Sequence, residues 1–349
     1  MTKPIGRNAL ATRVRAQADT AGIADQRMRL WVGAAALLQV LAAAVIDGVL
    51  PAFYVKGGFA LELRFRQHAR ASQDIDLVVP IDMASVVDAF RSALAGRKWD
   101  NFAFRVKDAV REREHVMQVS VQSEYLGGPW CSLIIELGKG EVEDSEMVDA
   151  FPLQPFGLRD PDRVPCLNRF AQIAQKLHAA SDPSPRNMRY RDLVDIYLLD
   201  SMLDRDDLRL RASIEDTFAR RAQHPWPSPI EMRLEWREPL TRMLNDMGLQ
   251  LTVDQLFEYS TGLTARLMGI EMVTNFEYMF MVLEGWTQVP DVTSFAIIND
   301  GRYDNFVRMT SQEGYRLSHL LPYPSTTRTS AMLAVLERPK PESTQRRGS

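Results

Sequence analysis

The sequence predicts an α+β protein of two lobes, a mixed sheet with helices followed by a mainly helical region, and three observations carry this. Segments 102–106 and 116–121 alternate apolar and polar residues like an antiparallel pair, and 132–137 alternates again. Elsewhere apolar residues recur at helical spacing, as in Val86, Val87, Phe90 and Leu94, and later Phe170, Ile173, Ala174, Leu177 and Ala180. An acidic stretch, GKGEVEDSEM, then a Pro-rich one over 151–165, reads as a crossing segment between lobes.

Taken in order, residues 1–22 read as a loosely held helix or arm. Residues 24–47 form one long Ala-rich helix that ends before Gly48. This helix is nearly uncharged, but Gln39 breaks it and it falls just short of the roughly 20 apolar residues a span needs, so it reads as a buried helix and no membrane association is expected. A strand over 51–55 delivers Lys56. Gly57 and Gly58 then open a helix over 59–66, an Arg-rich turn follows, and Asp74 and Asp76 stand in a strand that Pro80 stops. A helix is expected over 83–95, and Gly127, Gly128 and Pro129 turn the chain into the 132–137 strand. Helices are expected over 167–181, 190–203, 234–247, 252–270 and 275–285. A hairpin is expected over 295–309 around the Asn-Asp-Gly turn, and a disordered tail from 337. This organises the chain as an N-terminal helical segment (1–50), a sheet core (51–155), a helical lobe (156–248), a C-terminal helical region with a hairpin (249–336) and the tail (337–349).

Composition narrows the function classes. With 46% hydrophobic and 25% charged residues, the 349-residue chain is ordinary for a globular protein. A formal net charge of −3 excludes coating nucleic acid by bulk charge, so such contact needs a local patch. Cys131 and Cys166 are too few for a disulfide framework and wrongly spaced for zinc, which fits a cytoplasmic protein.

The chemistry concentrates in KGGFALELRFRQHARASQDIDLVV, residues 56–79. Alternation along a strand puts Asp74 and Asp76 on one face, roughly 7 Å apart at about 3.3 Å per residue, a spacing that can flank hard divalent cations. Small residues at a helix start let a phosphate reach unpartnered backbone amides. In SLIIELG, Ile134 and Glu136 share a face, and if this strand lies beside that of Asp76, Glu136 joins the same spot. Three acids packed together imply cations. Further on, Asp192 and Asp195 interrupt an apolar helix and need partners, with Lys176 the candidate; Lys176 itself reads as lying on the solvent flank of its helix beside Arg169. His178 reads as packing. Arg186, Arg189 and Arg191 lie in a basic loop.

KGGFALELR followed by RASQDIDL resembles the opening motif of the AbiEii-type nucleotidyltransferase toxins, a branch of the polymerase-β-like nucleotidyltransferases that includes the mycobacterial MenT toxins. QKLHAASDPSPRNMRYRDLVDIYLL resembles the second signature of that family, a Lys on a helix, a basic loop and an Arg-Asp pair, and the resemblance spans about residues 25 to 235. The family's usual Thr after the glycine pair is Phe59 here. The resemblance implies a polymerase-β-like nucleotidyltransferase lobe and transfer of a nucleotide from a nucleoside triphosphate to an acceptor hydroxyl. It implies Mg²⁺ (or Mn²⁺) on Asp74, Asp76 and Glu136, and contacts to the nucleotide from Lys56, Gly57, Gly58, Ser72, Lys176 and Asp195. Lys176 and Asp192 become parts of the catalytic set, with Asp192 preferred over Asp195 as the essential acid. The acceptor implied is the 3′ end of tRNA, held by Arg186, Arg189 and Arg191, with translation blocked and a cognate antitoxin as partner. Two other readings stand beside it: an antibiotic-type small-molecule nucleotidyltransferase, and a catalytically inactive binding module of the same fold.

Overall fold

A computed structural model of the chain describes residues 2–113, 116–138, 144–203, 206–270, 276–284, 286–288, 295–297, 310, 312–323 and 331–339. The chain divides into two compact units, Met1–Gln172 and Ile173–Ser349.

The first unit is built on an eight-stranded mixed sheet. Its strands are β1 (Tyr54–Lys56), β2 (Ile75–Val78), β3 (Lys98–Trp99), β4 (Phe102–Arg113), β5 (Val116–Tyr125), β6 (Gly128–Gly138), β7 (Ser145–Val148) and β8 (Val164–Leu167). They lie in the order β3-β4-β5-β6-β2-β1-β8-β7. β4, β5 and β6 form an antiparallel meander. β2 runs parallel to β6 and antiparallel to β1, and β8 runs parallel to β1. The stretch expected to cross between lobes therefore belongs to the first unit, as the β7–β8 edge. The reason lies in α3 (Gly57–Phe65) and the turn after it. Arg64 bonds Glu146 at 2.6 Å and the Leu167 carbonyl at 2.8 Å, and Arg66 reaches the Asp149 and Ala150 carbonyls at 3.0 and 2.9 Å. Part of the arginine-rich turn is thus a structural clasp.

One face of the sheet is covered by α1 (Arg7–Ala21), α2 (Asp25–Ile46) and α4 (Met83–Leu94). Leu10 and Val14 of α1, Leu37 and Leu41 of α2 and Phe90 of α4 join Ile75, Leu77, Val119, Val121, Ile135 and Leu137 in a single core. The N-terminal segment is therefore not a loose arm. Tyr125 OH donates to the Pro4 carbonyl at 2.9 Å, and Arg13 to that of Phe156 at 2.9 Å. The small residues of α2 allow close approach to β6: a Cβ on Gly33 would stand 2.7 Å from Cys131 Sγ. By length and composition alone α2 would span a membrane, yet two thirds of its apolar window is buried in the fold.

In the second unit α5 (Arg169–Ala180), which begins in the first, continues into α6 (Arg191–Asp200), α7 (Asp207–Arg221), α8 (Arg237–Asp246) and α9 (Val253–Leu267). Thr252 and Gln255 cap α9 reciprocally. The expected helix over 275–285 is instead a strand, β9 (Phe276–Glu284), paired antiparallel along its whole length with β13 (Ala331–Pro339), which also pairs β12 (Arg316–Tyr323). The start of the expected tail is thus strand as far as Pro339, and residues 340–349 lie outside the described residues. β11 (Phe295–Ile297) pairs with β10 (Trp286–Gln288), and the expected hairpin turn and return over 298–309 lie outside the described residues.

Where α5 meets α7, His178 lies tilted against His224 with ring centroids 4.3 Å apart and meets Phe218 edge-on at 4.7 Å. Burial first, then the charges of His224 and Arg221, push His178 down to about 4 against the pull of Asp182, and burial likewise lowers His224. The folded state thus holds these rings neutral, so their contribution is complete above the unfolded value of about 6.5 and is lost as the pH falls from there through about 4. A melting series from pH 7 to pH 4 should fall more steeply for the native chain than for His178→Phe, which keeps an aromatic ring beside His224 and removes the His178 titration. Parallel curves would exclude this pair as a source of acid lability.

Candidate active site

Register builds the site. The parallel pairing of β2 with β6 sets Asp76 opposite Glu136, and the antiparallel pairing of β1 with β2 sets Lys56 opposite Asp76. β5 adds Gln118 opposite Glu136, with its amide donating to Glu136 Oε1 at 3.0 Å. Lys56, Asp76, Glu136 and Gln118 therefore form a polar row across four strands. It lies on the face away from the apolar core, where Ile134 is 40% exposed.

The glycine pair stands directly against this row. Gly57 has φ +65°, and a Cβ there would lie 1.8 Å from Asp76 Oδ2. A Cβ on Gly58 would meet Ser72 Oγ at 2.8 Å and the Arg70 guanidinium at 3.1 Å. These are also the first residues of α3, where backbone amides lack helical partners. Phe59, in place of the family's Thr, is buried edge-on against Phe151 at 5.7 Å, so this departure sits in the core.

Asp74 precedes β2 rather than lying in it, so strict alternation does not govern its side chain. Ser72 Oγ lies 3.2 Å from Asp74 Oδ1 and 3.0 Å from the Asp74 carbonyl, and it is Ser72 that shapes this turn. Among the described residues no three His, Cys, Asp or Glu side chains converge closely enough to make a metal centre. Asp76 and Glu136 are register partners, while Asp74 is tied to the turn by Ser72. The donor chemistry still suits a hard divalent cation, because Asp74, Asp76 and Glu136 supply carboxylate oxygens and Gly57 leaves open the space at Asp76 that a side chain would fill.

Beneath the turn lies Glu62, which sequence reasoning missed. Glu62 accepts from Arg27 Nε at 2.8 Å, from the Trp31 indole at 2.9 Å and from the Ser72 amide at 3.2 Å. Burial raises its pKa, and those three donors oppose the rise. A connected chain thus runs from α2 through Glu62 and Ser72 to Asp74. The one hint in the sequence is an acid amid apolar residues in FALELRF.

A profile of the family described as nucleotidyl transferase AbiEii toxin, type IV TA system, matches residues 39–259. The chain belongs to the AbiEii family. Among solved structures, the nucleotidyltransferase toxin MenT4 from Mycobacterium tuberculosis H37Rv aligns at 18% identity and TM-score 0.45, over 75% of this chain and 99% of that one. The antibiotic-resistance factor ANT(2'')-Ia aligns at 17% and 0.33, over 53% and 91%. A nucleotidyltransferase-like protein from Paracoccidioides brasiliensis aligns at 12% and 0.33, over 63% and 94%. No curated protein sequence matches. This AbiEii chain is accordingly a nucleotidyltransferase of a toxin–antitoxin family.

The second AbiEii signature lies in the second unit. Lys176 Nζ bonds Asp192 Oδ1 at 2.9 Å and Asp195 Oδ2 at 2.6 Å, all three residues being buried. Both candidate acids thus share one lysine. Lys176 does not lie on a solvated flank beside Arg169, which instead pairs with Glu146 at 3.4 Å. In the basic loop, Arg189 stands 2.8 Å from Asp192 Oδ2 and Arg186 is exposed, whereas Arg191, expected in the loop, is the first residue of α6 and lies over the Tyr190 ring at 5.7 Å. Asn187, also missed, fixes this loop by donating to the carbonyls of Ala179, Ala180 and Asp182 at 3.0 to 3.2 Å.

Two substitutions separate these roles. Gly57→Ala should cost about 1–3 kcal/mol, as overpacking does, and should also displace Asp76; a variant with native melting and native nucleotide transfer would show that the contact is dispensable. Lys176→Met should cost about 3–5 kcal/mol in denaturant titration, since buried Asp195 loses its lysine while Asp192 is left with Arg189. An unchanged midpoint would mean the triad is hydrated.

Proposed function

We propose that this AbiEii protein transfers a nucleotide from a nucleoside triphosphate to the 3′ hydroxyl of a tRNA, blocking translation in the cytoplasm until a cognate antitoxin restrains it. The observation that carries the reading is the polar row in which Lys56, Asp76 and Glu136 are register partners beside the Gly57–Gly58 helix start.

In this reading the α3 amides at Gly57 and Gly58, with Lys56 and Ser72, hold the triphosphate. Asp74, Asp76 and Glu136 hold Mg²⁺ or Mn²⁺, which when bound supplies positive charge at the attacking and leaving oxygens. The acceptor oxygen forms a bond to the α-phosphorus as the bond to the pyrophosphate oxygen breaks, and the hydroxyl proton passes to the Glu136 carboxylate. Lys176, Asp192 and Asp195 take the places of the family's second signature, and Arg186, Arg189 and Arg191 are the cations assigned to RNA. The MenT4 name concerns a nucleotidyltransferase toxin, and we extend that class of action to this chain.

Incubation of the protein with each labelled nucleoside triphosphate and total tRNA should give labelled tRNA only with divalent metal, and Asp76→Asn should lower transfer by more than about a hundredfold, the scale of losing a group that meets developing charge. Label appearing on an aminoglycoside but never on RNA would favour a small-molecule acceptor. Equal triphosphate binding with and without EDTA would remove the metal from the scheme.

A further inference from the structure

The polar row does not stop at Glu136. β4 continues it, since Arg111 is the register partner of Gln118, so the order across five strands is Lys56, Asp76, Glu136, Gln118, Arg111. Farther along the same strands a second row runs from Arg105 through Gln122 to Ser132, and Lys107 donates to Ser132 Oγ at 2.9 Å. Register partners on neighbouring strands share a face, so these cations stand on the side of Asp76 and Glu136, while Phe102, Phe104, Val119 and Val121 fill the opposite, buried side. Arg105 and Arg111 are exposed, and among the described residues neither has an ion-pair or hydrogen-bond partner. The contrast is with Arg27, Arg64 and Arg66, each spent on holding the fold.

The dimensions decide what such a surface fits. From β2 to β4 is three strand steps, about 14 Å at about 4.8 Å each, and the two rows lie four residues apart, about 13 Å at about 3.3 Å per residue. A lone triphosphate on the Asp76 side does not need that reach, whereas a chain of several phosphates does. Between the rows stands the half-exposed Ile134, and the face carries no aromatic among its described residues, so contact there is phosphate-led and indifferent to base identity. Glu112 faces the other way, opposite Met117, and Glu124 lies beyond Arg105 at the strand end, opposite Ala103.

We propose that the open face of β4, β5 and β6 is the track for the single-stranded end of a nucleic-acid acceptor, with Arg105, Arg111 and Lys107 holding its backbone phosphates and leading its terminal hydroxyl to Asp76 and Glu136. The proposal rests on the nucleotidyltransferase reading with an RNA acceptor, and it places acceptor contacts on the sheet of the first unit, in addition to Arg186, Arg189 and Arg191 of the second.

The test is fluorescence anisotropy of the full chain with a labelled single-stranded oligoribonucleotide of mixed sequence, across a salt series. The comparison is Arg105→Gln/Arg111→Gln against the native protein and against Arg105→Lys/Arg111→Lys, with melting of each variant as a folding control. Two lost phosphate contacts should flatten the log affinity against log salt slope by about 1.4, at about 0.7 per contact for single strands, and the Lys pair should restore it. Calorimetric titration of a nucleoside triphosphate with Mg²⁺, which should be unchanged in the Gln pair, reads the transfer site separately. Intact triphosphate binding with an unchanged RNA slope overturns the track and leaves nucleotidyl transfer standing. Loss of triphosphate binding by the native chain overturns the transfer reading and the track together. A Gln pair that loses poly-glutamate binding while keeping its RNA slope would assign the face to an acidic protein partner and overturn the proposal.

Discussion

Everything at the candidate site depends on one steric condition: the Asp76 carboxylate occupies space that any side chain at residue 57 would claim. At 1.8 Å from a Cβ at Gly57 to Asp76 Oδ2, the carboxylate could keep its place only with glycine there, and the positive φ disfavours most side chains independently. The glycine serves the acid as much as any phosphate. β2 in turn can present Asp76 to Glu136 only because it runs parallel to β6 in this register, since a slip of one residue would turn Asp76 into the apolar core.

The scaffold makes that register costly to change. Ile75 and Leu77 anchor β2 in the core that α1, α2 and α4 close, so the face bearing charge is set by the face bearing methyl groups. Arginine fixes the edges. Arg64 and Arg66 tie the α3 end to the β7–β8 segment, and Arg27 reaches Glu62 and the Ala69 carbonyl, so the turn carrying Ser72 and Asp74 hangs from helix α2. Buried charge of this kind is stable only as a fully bonded set, which explains why Glu62 has three donors.

The acids and their strands were legible in the sequence because alternation is a local signal: β2, β5 and β6 show it, and the pairing of Asp76 with Glu136 follows once the two strands are neighbours. The second signature gave the Lys176 partnership with Asp192 and Asp195 for the same reason, since two acids in an apolar helix require a cation. What escaped was non-local. FEYMFMVLE suits a buried helix or strand equally, and what decides is β13, far along the chain. The clasp of Arg64 and Arg66 was likewise out of reach, because nothing near them in sequence announces the groups they bind. Arg105 and Arg111 belong to two rows that only the pairing of β4 with β5 creates, and the register shift between Val106 and Val110 interrupts the pattern between them. Asp74 shows the limit of the local rule, since it stands one residue outside the strand whose periodicity seemed to govern it.

Both native thiols are chemically quiet. Burial pushes Cys131 up to about 11 and Cys166 up to about 12, so at neutral pH neither offers appreciable thiolate. A maleimide probe would therefore find an engineered cysteine on the exposed strand β4 long before it found either natural one. The chain comes ready for site-selective labelling, with spectroscopic reporters placed one at a time along the sheet and no need to strip out the wild-type sulfur first.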